Sequence, residues 1–395
     1  MRARRLWGAP FIAVALLTLT LPAGALASGP PVDARSWALI DARDGDVLAS
    51  HGASRRLPIA STTKLMTAYV ALRELPLDRI VRAAPYEAEY GESLLELRPG
   101  QRISVRDLLY GLILRSGNDA AYDLALAAAG SEARFVAQMN RYAAALGLAD
   151  THYANPIGLD QRGNYSSAAD LATLARRLLR DGAFARIADS RTARLRSLRP
   201  PRKIETLNDL LLRASWTTGV KTGHTFGAAY VLVGSGQRGG TRLISVVIGA
   251  PTETERDLAS LRLLEYGFSR YKRRSPVRAG AALARPAIRY SGGELPLRAT
   301  RTVTIGVRPD QRIGLEVRAP SEVEGPIRRG ERLGNARVYV DGRRVATVPL
   351  RSSRSVEEAS VLARAGSFLG DEKIPVGIAL CVILLGAVLL RRFAR

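Results

Sequence analysis

The chain has 395 residues, 47% of them hydrophobic, and its 59 basic and 36 acidic side chains leave a formal net charge of +23. That length accommodates two or three domains with a sizeable core, and the composition excludes a disordered or repetitive chain. One cysteine excludes an intrachain disulfide; with only three histidines beside it, a zinc site is not expected, and without zinc-finger spacing or a basic helical arm no nucleic-acid partner is expected either.

Residues 1–27 read as a secretory signal, with a basic start, an apolar run from Phe11 to Leu21 too short to span a bilayer, and an Ala25-Leu26-Ala27 cleavage site. Ser36 to Ser50 then predicts a hairpin of two short strands around a Gly-containing turn. From there to about residue 190 the apolar residues recur at three- and four-residue spacing, with glycines near the segment ends, which predicts helices. Strand patterns return at Ala229–Gly234 and Arg242–Gly249, and a helix follows from Glu253 to Tyr266. Strands at both ends with helices between predict an α+β domain over 29–275 whose sheet is assembled from distant segments. Short alternating runs, with an Asp341-Gly342 hairpin turn, predict a small all-β domain over 276–350. Residues 351–373 read as a tether. The 17 apolar residues Ile374–Leu390 read as a transmembrane helix, and the basic tail 391–395 places that end in the cytoplasm.

Three short stretches carry the chemistry. Lysine is scarce: five against 54 arginines. Arginine cannot be deprotonated in a protein, whereas a desolvated lysine beside another cation can lose its proton and act as a base. In PIASTTKLMTAYVAL, Ser61 and Lys64 stand at i and i+3, a turn apart on one face if Ser61 opens a helix. A serine hydroxyl is a weak nucleophile until such a base takes its proton. Downstream, RSGNDAA supplies Ser116 and Asn118 between two helical patterns, and KTGHT supplies Lys221, Thr222, Gly223, His224 and Thr225 on a strand. Each stretch alone is common, as a helix cap, a turn or an exposed strand. Together and in this order they form the S-x-x-K, S-x-N, K-T-G set.

With ASTTKLMTAYVA, SGNDAA, YANPIGLD (153–160) and KTGHT, the chain resembles the low-molecular-mass penicillin-binding proteins, serine-type D-alanyl-D-alanine carboxypeptidases, over about residues 35–270. The resemblance implies a penicillin-binding, serine β-lactamase-like transpeptidase domain that removes the terminal D-alanine from peptidoglycan stem peptides through an acyl-enzyme, without metal or cofactor, and that β-lactams acylate. It implies Ser61 as nucleophile, Lys64 as base and Ser116 as proton relay, with Asn118 binding the substrate amide and holding Lys64. Lys221 would supply positive charge, and the backbone N–H groups of Ser61 and His224 an oxyanion site. Thr222, Thr225 and Arg256 would meet the substrate carboxylate. An endopeptidase acting on D-Ala cross-links, or a wall-binding scaffold without turnover, remains an alternative. A class A β-lactamase hydrolyses its acyl-enzyme with a glutamate, and no Glu occurs from Ala133 to Ile204, so rapid β-lactam hydrolysis is not expected.

Overall fold

The computed structural model describes residues 29–361 and Arg364. The expected signal segment, apolar segment 374–390 and basic tail lie outside the described residues. Strands β1 (Ser36–Asp41) and β2 (Val47–His51) form the expected hairpin. A 3₁₀ turn (Ala60–Thr63) runs into α1 (Lys64–Glu74). Two short strands, β3 (Ile80–Arg82) and β4 (Arg102–Ser104), pair into a ribbon. Five helices follow: α2 (Val105–Leu114), α3 (Asn118–Ala129), α4 (Glu132–Ala145), α5 (Ala168–Leu178) and α6 (Gly182–Ala188). A second ribbon pairs β5 (Thr192–Leu195) with β6 (Arg202–Glu205), and one helical turn, α7 (Leu210–Arg213), precedes the return to the sheet. There β7 (Thr217–Thr225), β8 (Ala229–Arg238) and β9 (Thr241–Ala250) run antiparallel before α8 (Glu253–Ser269).

The five-stranded sheet has the order β2-β1-β9-β8-β7, so the first and last segments of the domain meet at its centre and β7 is an edge. Its side chains alternate between two cores with the period of two that a strand imposes. Ala38, Ile40, Val231, Val233, Ile244, Val246 and Ile248 pack on the helical cluster around α1. Trp37, Leu39, Leu232, Leu243 and Val247 pack against α8 on the opposite face. Helix α1 is buried from Lys64 through Ala71, all round its circumference, as befits a helix through the middle of a core.

The β domain contains β10 (Lys272–Val277), β11 (Ala282–Ala284), β12 (Ala287–Ile288), β13 (Leu297–Ala299), β14 (Val303–Val307), β15 (Ile313–Arg318), β16 (Glu322–Val323), β17 (Arg332–Val340) and β18 (Arg343–Ser352). Its main sheet has the order β11-β13-β18-β17-β15 over a core of its own. Asp341 and Gly342, both at positive φ, make the expected tight turn. Two boundaries differ from expectation. Strand β10 crosses residue 275 because it pairs with β14 across it. The chain does not become a tether at 351: β18 runs to Ser352 and Val356 pairs with Ile327. The turn after β1 joins the domains, where Tyr271 Oη donates to the buried Asp41 Oδ2 at 2.7 Å and Arg308 bridges Asp41 and Asp46.

Candidate active site

The segment before α1 is bent sharply. Ala60 has φ +48, and Gly158 (φ +94) packs so closely that a Cβ there would fall 2.1 Å from the Ala60 carbonyl oxygen. This contact presents Ser61 at the mouth of α1, one turn ahead of Lys64. Lys64 Nζ lies 3.0 Å from Ser61 Oγ and donates a hydrogen bond to the Ile157 carbonyl. Its side chain is wholly buried. Burial, and then the charge of Lys221, hold its amine well below the usual lysine range. A neutral amine that donates to Ile157 keeps its lone pair free to take the Ser61 proton.

Ser116 ends the turn between α2 and α3 in the left-handed region (φ +59), which a side chain enters at a cost of about 1–2 kcal/mol. Its Oγ lies 3.0 Å from Lys221 Nζ, which also donates to the Thr222 carbonyl at 2.8 Å. Lys221 is buried, and burial together with the nearby charge of Arg256 lowers its pKa to about 7. Two serine–lysine pairs thus face each other, with no carboxylate among the direct hydrogen-bond partners of either amine in the described residues.

Strand β7 passes against the nucleophile: a Cβ on Gly223 would meet the Ser61 amide nitrogen at 3.0 Å. A side chain there would press the Ser61 backbone away from the strand. As β7 is an edge, the side away from β8 has no strand partner and faces a cavity of about 510 Å³. Ser61, Ser116, Thr222, Gly223, His224 and Arg256 are among its lining residues. The His224 ring lies 4.2 Å from that of Tyr230, tilted 30° to it. Arg256 reaches the cavity from the first turn of α8, almost fully buried, clamped by Asp257 Oδ1 and Glu253 Oε1.

Two of the expected residues make other contacts. The Thr225 hydroxyl donates to Asp160 Oδ1 at 2.8 Å, and Asp160 also accepts the Gly227 N–H. It fastens the YANPIGLD loop to the end of β7 and does not line the cavity. Asn118 Nδ2 donates to Glu92 Oε2 at 2.7 Å, and the anchor that fixes Lys64 is the Ile157 carbonyl. Sequence reasoning missed Glu92. It sits on a loop pinned to the start of α3, where Asp119 accepts the Leu95 and Leu97 N–H groups and Ser93 accepts that of Asn118. Burial opposes its charge, but hydrogen bonds from Asn118 and Tyr86 outweigh that and hold its carboxyl below the usual range. No signal marked it, since it lies upstream of the second motif. Among the described residues no group of three or more His, Cys, Asp or Glu side chains is arranged to hold a metal ion.

The sequence pattern of D-alanyl-D-alanine carboxypeptidases, peptidase family S11, matches residues 24–252. D-alanyl-D-alanine carboxypeptidase DacC of Escherichia coli is 34% identical over 86% of this chain and 88% of its own length. DacF of Bacillus subtilis is 30% identical over 93% and 98%. Among solved structures, penicillin binding protein 6B of Escherichia coli is 31% identical with a TM-score of 0.60, covering 82% of this chain and 96% of that one. DacD of Francisella tularensis is 26% identical with the same TM-score, over 84% and 95%. The paired lysines and serines, the edge strand and these likenesses converge: the chain belongs to the low-molecular-mass penicillin-binding proteins of peptidase family S11 and is a serine-type D-alanyl-D-alanine carboxypeptidase.

Proposed function

We propose that Ser61 Oγ attacks the carbonyl carbon of the D-Ala–D-Ala bond in a peptidoglycan stem peptide while neutral Lys64 takes its proton. The oxyanion that forms is held by the backbone N–H groups of Ser61 and His224, a reading supported by the close approach of Gly223 to the Ser61 nitrogen. Ser116, with Lys221 behind it, passes a proton to the departing amine, so that D-alanine leaves as the C–N bond breaks. Water then cleaves the Ser61 ester and regenerates the hydroxyl. Arg256 and Thr222, which line the cavity, meet the terminal carboxylate with the charge of Lys221 behind them, and Asn118, oriented by Glu92, meets the substrate amide. The observation that carries this reading is the buried Lys64 amine, 3.0 Å from Ser61 Oγ and depressed in pKa by its surroundings.

Intact mass after penicillin treatment tests it. One covalent adduct is expected on the wild type and none on Ser61→Ala, with D-alanine release from a pentapeptide lost in parallel; an adduct on the variant would overturn the assignment. We also infer export by residues 1–27 and attachment to the membrane by 374–390, supported by their apolar runs and flanking charges. Among the described residues no helix is long and apolar enough to cross a membrane.

A further inference from the structure

A second cleft, of about 640 Å³, lies where the two domains meet and shares no lining residue with the cavity at Ser61. One wall is formed by the turn after β1, the end of α5 and the start of β9; the other by β14 and β18. Six arginines line it: Arg43, Arg176, Arg180 and Arg242 from the peptidase side, Arg301 and Arg344 from the β domain. Asp41 is the one carboxylate among its lining residues, and Tyr271, Arg43 and Arg308 already occupy it.

Of the six, Arg43 is in ion pairs with Asp41 and Asp44. Arg176, Arg180, Arg242, Arg301 and Arg344 are in none among the described residues; the first four donate only to the carbonyls of Ala42, Arg43, Leu179 and Thr347 and to the Gln237 amide. Burial, and then the charges of Arg180 and Arg343, hold the Arg176 guanidinium below its usual range despite the opposing fields of Asp44 and Asp41. Six guanidiniums against one lining carboxylate leave an excess of like charge that costs free energy, and an anion entering the cleft offsets that cost. Guanidinium forks match the oxygens of a phosphate bidentately. The cleft is larger than one phosphate needs and presents arginines on both walls.

We propose that this interdomain cleft binds a phosphate-bearing polyanion, gripped by Arg180 on the peptidase wall and Arg344 on the β-domain wall. The same chemistry is offered by a soluble phosphate chain and by phospholipid headgroups. A ligand that spans the walls couples the two domains.

The test is calorimetric titration of the full chain with tripolyphosphate, beside sedimentation with phosphatidylglycerol and phosphatidylcholine vesicles. Arg180 and Arg344 are exposed and outside the catalytic machinery, so Arg180→Ala/Arg344→Ala keeps its carboxypeptidase activity, which reports the fold. Saturable binding is expected, weakened about tenfold or more in that variant. It is unchanged in Arg134→Ala/Arg141→Ala, which removes equal charge from the exposed face of α4. Tripolyphosphate binding without preference between vesicles assigns a soluble phosphate chain. Excess sedimentation with phosphatidylglycerol that depends on the same two arginines assigns a headgroup. Equal weakening in both double variants would reduce the effect to net charge and overturn the proposal, as would no saturable binding to either probe.

Discussion

Lys64 and Lys221 are both buried, and burial lowers the pKa of each amine. The charge of Lys221 adds to burial in depressing Lys64, and the charge of Arg256 adds to burial in depressing Lys221; in the proposed mechanism Lys64 is the base. Glu92 and Asp119 act in the opposite sense, their negative fields raising the Lys64 pKa. Acylation by that mechanism needs neutral Lys64, so kcat/KM is expected to rise with pH through the Lys64 pKa, and the acid limb to report that amine in the free enzyme. Glu92→Gln removes one of the two negative fields while keeping an oxygen for Asn118, so Lys64 falls further. The acid limb is expected to move to lower pH; a shift to higher pH, or none, in a measured pH–rate profile would show that Glu92 does not act on the base. The three motifs were legible because they depend on residue type. Glu92 was not, because its effect depends on a loop folding back onto Asn118. The Ile157 carbonyl was not, because a backbone acceptor leaves no trace in residue identity.

At the scale of elements, the site is set by two close backbone approaches: Gly158 against Ala60, and Gly223 against Ser61. Neither contact is local in sequence. The YANPIGLD block was recognisable as a motif, yet its physical role, bracing the 3₁₀ turn ahead of α1 and reaching β7 through Asp160, emerges only from packing. Gly158→Ala adds a Cβ at a left-handed residue and directly against a carbonyl oxygen. It should cost about 3 kcal/mol or more in chemical denaturation and slow penicillin acylation in the fraction that still folds; normal stability and acylation would mean the turn does not depend on this contact. Long apolar patterns gave their helices correctly, including α8, which runs three residues beyond Tyr266. The ribbons β3–β4 and β5–β6 did not stand out in a stretch read as mainly helical. Three or four residues are too few for alternation to outweigh the surrounding pattern.

Over the described residues of the whole molecule, a change of periodicity marked an α+β segment followed by a β-rich one, while their junction was not readable. Strand β10 belongs to the β domain by its pairing although it begins in the segment read as peptidase. The proposed membrane attachment is tested at this scale too. Alkaline extraction is expected to leave the full chain with the membrane and to release a chain ended at residue 361; retention of both would assign the attachment elsewhere. A different consequence follows from the position of β1. It pairs with β9, more than 200 residues later, and the strand bearing Lys221 is held to that pair only through β8. Contacts of such long sequence separation form late. During synthesis, therefore, no polypeptide shorter than about 250 residues possesses both amines in register, and the ability to take a β-lactam becomes a stamp of completed folding.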